Sequence, residues 1–434
     1  MIHARRRRPG DGLASLIRTV RFLLLFESAM YSALTPVLPH YAHVLRAGKP
    51  ALGLLVAGYP AGLIPGALLG GWLASRQGVR RTTIAGLIGF GLAIAGFGLS
   101  SQIVALDLLR VAQGAFCGLI WGGGLTWLIA AAPASRRGAA IGGAIAAATF
   151  GTLLGPLLGT LAETIGPAIV FCATGAVALA LAVWAGSHPE PAPARRGPGT
   201  AERSILAQLR AALGAGGFGL GTWLIMLDAI FFGAVGVLLP LRMAQLHVPG
   251  WAIGATFVAA SALSTALSPL VGRGVDRRGA RPTLKAGLLV GAPLVAVMML
   301  PHDPVLLVAL AIIVLGLPMT AAGIPAVSLM TDATERAGVT LILATTAVNL
   351  AYAVGETIGS PVAATLSTVA GDLVPLFLIA ALMALTLVLA RRGARATPGP
   401  AAAPAPEGAC EGAVRRRPHG AGALRERAAE LTRR

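Results

Sequence analysis

Charged residues are scarce in this sequence. Asp, Glu, Lys and Arg make up only 12% of the 434 residues, whereas hydrophobic residues make up 56%. A chain of this length cannot hide so much apolar surface in one water-soluble core. Lipid must therefore be its main solvent, which excludes a soluble globular protein.

Residues suited to metal binding or catalysis are also few. The three cysteines, Cys117, Cys172 and Cys410, offer neither a disulfide framework nor metal-ligand spacing. The seven histidines lie mostly near predicted loops without such spacing, and no nucleophile stands beside a base in a recognisable pattern. We therefore predict no metal, no cofactor and no enzymatic activity.

Acidic residues are about half as frequent as basic ones, 17 against 35, and the net charge is +18. The basic residues concentrate in alternate loops, which indicates membrane topology rather than nucleic-acid binding. On one side the short loops carry three, Arg46, Lys49 and Arg242. On the other side they carry eleven, namely Arg76, Arg80, Arg81, Arg136, Arg137, Arg273, Arg277, Arg278, Arg281, Lys285 and Arg336. The positive-inside rule then predicts that both termini are cytoplasmic.

The apolar residues form stretches of about 18–25, the length needed to cross a bilayer as a helix. The strict alternation of apolar and polar residues expected of barrel strands is not found. We expect an all-α membrane protein with twelve transmembrane helices, near 19–41, 51–74, 82–100, 102–130, 139–162, 167–186, 218–241, 251–272, 283–300, 305–330, 340–365 and 373–391.

A polar stretch rich in Pro and Arg separates two sets of six spans. The predicted organisation is a basic cytoplasmic N-terminus (1–18), an N-terminal six-helix bundle (19–186), a cytoplasmic linker (187–217), a C-terminal six-helix bundle (218–391) and a disordered basic cytoplasmic tail (392–434).

The two sets of spans repeat each other. The residues that align at an offset of 201 are Glu27 with Asp228, Pro39 with Pro240, and Gly71, Arg76, Gly78 and Arg80 with Gly272, Arg277, Gly279 and Arg281. A later pair, Gly155-Pro156 and Gly359-Ser360-Pro361, aligns only after an insertion of three or four residues. Such duplication is typical of transporters, which bind cargo near the midplane between the repeats.

The segment from Gly71 to Arg81 resembles the cytoplasmic loop signature of the major facilitator superfamily, with Ser75 at the usual acidic position. The copy in the second half keeps an acid, Asp276. This departure puts the ordinary salt bridge of the first-half gate in doubt.

Three further motifs narrow the resemblance. Arg110-Val-Ala-Gln-Gly resembles the fourth-span motif of the superfamily, Gly151-x3-Gly155-Pro156-x2-Gly159 resembles the fifth-span motif of antiporters, and Pro36-Val-Leu-Pro39 ends the first span. Over about residues 19–391 the sequence is similar to the twelve-span drug:proton antiporter family. This resemblance implies the major facilitator fold of two pseudo-symmetric six-helix bundles, and a role for Arg110 in proton relay.

Ionisable residues inside the spans are candidates for function, because each costs roughly 2.5–3.5 kcal/mol in a bilayer. Glu27, with Tyr31 on the same helix face, is the candidate proton-coupling or cation-binding carboxylate; the alternative is a structural carboxyl group. Asp228 is its counterpart, expected either to face Glu27 across the midplane cavity or to pair with a polar group at a helix interface.

Two further spans carry polar residues on one face. Arg110 and Gln113 share a face of the fourth span, and Arg110 needs a carboxylate partner, either Asp107 or Glu27. In the eleventh span Asn349, Tyr352 and Glu356 share a face at i, i+3 and i+7, and Glu356 is a third candidate for protonation or cargo binding.

The small residues and the basic loops suggest how the helices move. Gly151, Gly155 and Gly159 permit close approach of another helix, and Pro156 permits bending, which suits either a rocking helix or static packing. We expect the loop residues to hold a gate on the basic side; they are Arg76, Gly78, Arg80, Asp276, Arg277, Gly279 and Arg281.

These features predict proton-coupled antiport, in the efflux direction, of a small amphiphilic drug or metabolite by alternating access. The alternative is a proton-coupled importer or facilitator of a small metabolite. We expect a monomer in the bacterial inner membrane whose partners are a small-molecule substrate, protons and lipid, with no nucleic acid.

Overall fold

The computed structural model describes residues 9–133, 137–188, 205–339 and 341–396, and no strand occurs among them. The described residues form fifteen helices: α1 (Pro9–Ser32), α2 (Leu34–Val44), α3 (Lys49–Gln77), α4 (Val79–Leu99), α5 (Ile103–Ala131), α6 (Arg137–Ile165), α7 (Pro167–Gly186), α8 (Ile205–Gly214), α9 (Phe218–Gln245), α10 (Gly250–Arg278), α11 (Ala280–Val297), α12 (Pro304–Gly316), α13 (Pro318–Arg336), α14 (Leu341–Ala370) and α15 (Leu373–Ala396). The all-α fold is confirmed.

Ten of the twelve predicted spans are long and apolar enough to cross a membrane by helix length and composition, counting α12 and α13 together. The other two are the first span, α1 with α2, and the eleventh, α14. Both carry polar groups in their middle, including Glu27 in α1 and Glu356 in α14. Each of the twelve predicted spans is thus a helix, or a pair of consecutive helices, in the described part of the chain.

Two spans are broken into consecutive helices near a proline. Ala33 separates α1 from α2, and Leu317 separates α12 from α13. Pro36 has no N–H to donate to the carbonyl of Ser32, and Pro318 similarly begins α13 at the position where a missing N–H costs least. Each break therefore lies within a single predicted span and results from the nearby proline.

The backbone itself repeats. Six of the eight described residues with positive φ form pairs between the halves: Arg46 (48°) and His247 (58°), and Gly78 (93°) and Gly279 (87°), are each 201 residues apart, while Gly166 (105°) and Gly371 (92°) are 205 apart. Left-handed backbone is uncommon for residues such as Arg and His. Its recurrence at matched positions confirms the internal repeat and an insertion within it.

The described residues up to Val388 form a first compact unit, and those from Leu389 on belong to a second. In the first unit the buried apolar side chains form two clusters. One is built from α1 to α7, joined by Val237, Leu241 and Ala364, and the other from α8 to α15. The bundle boundaries at 19–186 and 218–391 stay a prediction. Of the predicted linker and tail, residues 189–204 and 397–434 lie outside the described residues.

Glycines bring the same helices together in each half. Gly151 and Gly155 of α6 lie against the backbone of α1, and Gly159 lies against Ala33, between α1 and α2. In the second half, a Cβ on Gly359 of α14 would come within 2.5 Å of the carbonyl oxygen of Ile230 in α9. These contacts have no room for a side chain, which is how small residues let helices pack closely in membranes.

Candidate functional site

A cavity of about 270 Å³ lies between α1, α3 and α5 of the first half and α14 of the second. Its polar lining residues are Glu27, Ser28, Tyr31, Tyr59, Cys117, Trp121, Thr126, Thr346, Asn349, Tyr352 and Glu356. We call it the acidic cavity, because Glu27 and Glu356 both line it. The three residues predicted to share a face of the eleventh span all line this cavity: Asn349, Tyr352 and Glu356.

Glu27 is 3% exposed and accepts hydrogen bonds at both carboxylate oxygens. The Tyr59 hydroxyl donates to Oε1. The Trp121 indole N–H donates to Oε2 at 2.8 Å, and the Ser28 hydroxyl donates to the same oxygen at 3.2 Å. Because an indole N–H can only donate, it holds Oε2 as an acceptor. Three neutral donors thus stabilise this carboxylate, and no ion pair to it occurs in the described part of the chain.

Glu356, the second acid of the cavity, is hydrogen-bonded across the two halves. The Tyr31 hydroxyl of α1 lies 2.6 Å from its Oε1 and 2.7 Å from its Oε2. The Tyr31 ring in turn lies 5.2 Å from the Tyr59 ring, centroid to centroid. Glu27 and Glu356 are therefore joined through two tyrosines, one of which donates to each acid.

A second cavity, of about 310 Å³, lies on the other side of this connection. Helices α1, α2, α3, α5 and α6 line it from the first half, and α9, α10, α12 and α14 from the second. Tyr31, Tyr352 and Glu356 line both cavities. The hydrogen bond between Tyr31 and Glu356 therefore belongs to the wall that divides them.

Arg110 lines the second cavity and is 4% exposed. Its Nη1 donates to Gln113 Oε1 at 3.0 Å, its Nη2 to the Tyr31 carbonyl at 3.5 Å, and its Cζ lies 4.8 Å from the centre of the Tyr59 ring. Its Nε has no hydrogen-bond partner. Gln113 orients the guanidinium and donates to the Ala93 carbonyl at 3.3 Å, outside both large cavities.

The partners predicted for Arg110 are not in place. Within the described ranges it forms no ion pair with Asp107 or Glu27, and Asp107 Oδ1 is buried without a partner. The Arg110 side chain instead follows the face of α5 toward Gln113 and the Tyr59 ring. A buried guanidinium is thus left with neutral partners only.

The structure does not bring Asp228 to face Glu27. Asp228 lines neither cavity; it lies beside Gly323 of α13, and its Oδ1 is buried without a partner. The donors of Glu27 have no equivalents here, because Ala260 and Ala322 stand 201 residues after Tyr59 and Trp121. The acid that the second half contributes to the cavity is Glu356.

The sequence pattern did not indicate Tyr59. The chain has only four tyrosines, and three of them, Tyr31, Tyr59 and Tyr352, line the acidic cavity. Their scarcity in so apolar a chain is the one signal that could have singled out Tyr59. Trp121 lies about three helical turns after Arg110 in α5, and its bond to Glu27 depends on how α5 packs against α1.

The two ends of the bundle differ in how the halves meet. We call the end with Arg76 and Arg277 the basic end. At the opposite end Lys49 of α3 forms an ion pair with Asp372 and donates to Ser367 Oγ at 3.1 Å. There α3 and α14 pack closely where Gly53 meets Pro361, and α6 and α10 where Pro156 meets Gly254. The opposite end is closed.

The acidic cavity extends toward the basic end. Its wall on α14 runs from Glu356 back to Thr346, and its wall on α5 runs from Cys117 to Ile129. At 1.5 Å per residue these walls are roughly 15 and 18 Å long. Access from the midplane is therefore toward the basic loops.

Among the described residues, the predicted gating residues form no hydrogen bond or ion pair between the halves. Arg76 Cζ lies 4.5 Å over the Trp72 ring, Arg80 Nη2 donates to the Gly186 carbonyl at 2.6 Å, and Ser75 donates to the Trp72 carbonyl at 2.7 Å. All three contacts stay within the first half. In the second half Asp276, Arg277 and Arg281 are exposed, and Lys49 with Asp372 is the one ion pair among the described residues.

Solved structures share this fold. A bacterial homologue of the human lysosomal transporter Spinster, in an inward-facing and unoccupied conformation, is 13% identical, with a TM-score of 0.75 over 91% of this chain and 100% of that chain. The nucleoside transporter NupG and the POT family transporter PepTSo are each 13% identical and are matched over 87% of this chain and 98% of theirs, with TM-scores of 0.64 and 0.63.

No curated protein matches the sequence of this chain. The family model of the Major Facilitator Superfamily matches residues 21–356, which include both carboxylates of the acidic cavity. This family and fold are those of integral membrane proteins that transport small molecules. The chain belongs to the Major Facilitator Superfamily.

Proposed function

We propose that this transporter exports a small amphiphilic compound in exchange for protons. The observation that carries the proposal is a pair of buried carboxylates, Glu27 and Glu356, in one cavity between the halves. Neither has a basic partner within ion-pair distance in the described part of the chain. Buried acids without counter-charges favour positive ligands, either protons or a cationic group of the cargo.

The cavity walls suit a small ligand with an aromatic or cationic part. Tyr59, Trp121 and Tyr352 present rings beside the two acids, and such rings attract cations. Ligand sites have volumes of about 300–1,000 Å³, so cavities of about 270 and 310 Å³ correspond to a small cargo.

The cargo moves by alternating access. The α6–α1 and α14–α9 contacts at Gly155 and Gly359 keep helix pairs rigid, so each half moves as a body. In the present arrangement the basic end gives access to the acidic cavity, and Lys49 with Asp372 closes the other. With the basic loops in the cytoplasm of a bacterial inner membrane, this is the state that takes up cargo for export.

Export is favoured over import by the glycine motif of α6, which resembles that of antiporters. The direction in which protons move when cargo is added distinguishes an exporter from an importer. In inverted membrane vesicles with an acid interior, an antiporter takes up cargo from outside and releases protons, so that the pH gradient falls when cargo is added. An importer coupled to protons would not dissipate the gradient in this way.

A compound panel read by collapse of the pH gradient tests the proposal. We expect Glu27→Gln and Glu356→Gln to lose the response that the parent protein shows, because neither amide can carry the proton. The matched control is Glu335→Gln, since Glu335 is an exposed acid at the end of α13. Proton-coupled flux that persists in either cavity variant would refute the proposed mechanism.

A further inference from the structure

We propose that the second cavity binds a zwitterion, with its anionic group against Arg110 and its cationic group against Glu356. The inference deepens the proposed function, on which it rests only in taking the ligand of this cavity to be the cargo. It assigns the transporter a substrate class: small molecules that carry a carboxylate or sulfonate together with an amine.

The anionic pole follows from the state of Arg110. Its guanidinium is 4% exposed and lines the cavity, its Nε lacks a hydrogen-bond partner, and its acceptors within the described part of the chain are neutral oxygens of Gln113 and Tyr31. A buried guanidinium without a carboxylate is costly in a membrane, and its planar fork matches a carboxylate or sulfonate in two parallel hydrogen bonds. An anionic ligand would supply the missing counter-charge.

The cationic pole follows from Glu356, which lines the same cavity. Arg110 and Glu356 line the same cavity and form no ion pair with each other within the described ranges. Among the residues that the structure describes, the hydroxyl that donates to this acid is that of Tyr31, which serves both carboxylate oxygens. An ammonium group could therefore take the place of a proton on Glu356, as exchange of cargo for protons requires.

The remaining walls are complementary to such a ligand. Thr149 and Thr152 of α6 and Thr265 of α10 donate their hydroxyl protons to carbonyls of their own helices, at 3.1, 3.2 and 2.8 Å. Their oxygens are left as acceptors, which suits an ammonium group rather than an anion. Phe232 and Phe257 supply apolar surface for the body of the molecule.

The test needs no identified cargo, because charged thiol reagents serve as the probes. Ser261 lines the second cavity and is replaced by Ser261→Cys in a chain whose own thiols are removed by Cys117→Ala, Cys172→Ala and Cys410→Ala. Rates are measured in detergent with 2-sulfonatoethyl and with 2-(trimethylammonio)ethyl methanethiosulfonate. Dividing each rate by that of a free thiol gives the preference of the cavity for anion over cation.

We expect Arg110→Gln to lower this preference about tenfold and Glu356→Gln to raise it about tenfold, since a unit charge nearby acts oppositely on the two reagents. The double variant should return toward the parent value, and Arg110→Lys should keep it. A preference that either single variant leaves within about twofold would overturn the proposal, as would a thiol that reacts with neither reagent.

This experiment and the vesicle assay fail independently. Labelling reports the charges of the second cavity whether or not protons are coupled to transport. Loss of the labelling effects with intact proton exchange would refute the zwitterion site alone. Persistence of the labelling effects with unchanged flux in Glu27→Gln would refute the proton mechanism alone.

Discussion

Glu27 and Asp228 occupy equivalent positions in the two halves, and their surroundings differ in every polar contact. Tyr59, Trp121 and Ser28 donate to Glu27 at the wall of the acidic cavity. Asp228 lies outside both cavities with one oxygen unpartnered. The repeat thus preserves a carboxylate in each half and provides a polar site for only one of them.

The packing of the helices, unlike the placement of ionisable residues, is similar in the two halves. Three pairs of positive-φ residues recur at matched positions, and glycines join α6 to α1 as they join α14 to α9. These helix contacts are therefore shared by the two halves. The chemistry has become unequal, with Glu27 and Arg110 in the first half and Glu356 alone as the cavity acid of the second.

The largest effect should come from breaking the shared packing. We expect Gly155→Val and Gly359→Val each to abolish transport and to destabilise the protein by about 1–3 kcal/mol, because the new side chain meets backbone atoms of the facing helix. Thermal unfolding in detergent measures the loss. Gly142→Val on α6 is the matched control, since a Cβ there meets nothing within 4 Å. Unequal losses in the two halves would contradict equivalent packing.

An intermediate effect should come from the donors of Glu27. Tyr59→Phe removes a hydrogen bond to a buried carboxylate, worth about 1.5–3 kcal/mol, so proton-driven transport should fall at least about tenfold. Tyr41→Phe is the control, because the Tyr41 hydroxyl is buried without a partner. Initial rates in vesicles measure both. Equal rates for the two variants would show that the hydroxyl on Glu27 does not matter to coupling.

The smallest effect should come from making the basic loops of the two halves more alike in sequence. Ser75→Asp gives the first half the acid that the second half has at Asp276, and should stabilise the state closed at the basic end. An exposed ion pair contributes about 0–1 kcal/mol, so labelling of Cys117 in the acidic cavity by a maleimide should slow by at most about fivefold. Faster labelling would show that this acid does not close the gate.

The fold could be predicted from the sequence because span length, loop charge and the 201-residue repeat are local or periodic signals. The shared face of Asn349, Tyr352 and Glu356 could be predicted for the same reason. The bond of Trp121 to Glu27 and that of Tyr31 to Glu356 could not, since each joins helices far apart in the chain.

The misplacement of Asp228 has a physical cause as well. Equivalent positions in a repeat share a backbone environment. The hydrogen-bond donors that surround an acid, however, come from neighbouring helices. Tyr59 and Trp121 have alanines as counterparts, Ala260 and Ala322, so the second half offers its acid no equivalent donors. The repeat in the sequence locates both Glu27 and Asp228. Only the packing of the helices shows that Glu27 lines a cavity and that Asp228 lines neither of the two.

The central claim is that proton coupling requires Glu27 and does not require Asp228, its counterpart in the repeat. In proteoliposomes, exchange of labelled for unlabelled cargo reports binding and movement without net proton transfer, and transport driven by a pH gradient reports coupling. Glu27→Gln should keep exchange and lose gradient-driven transport, while Asp228→Asn should keep both. Gradient-driven transport that survives in Glu27→Gln but is lost in Asp228→Asn would contradict the account.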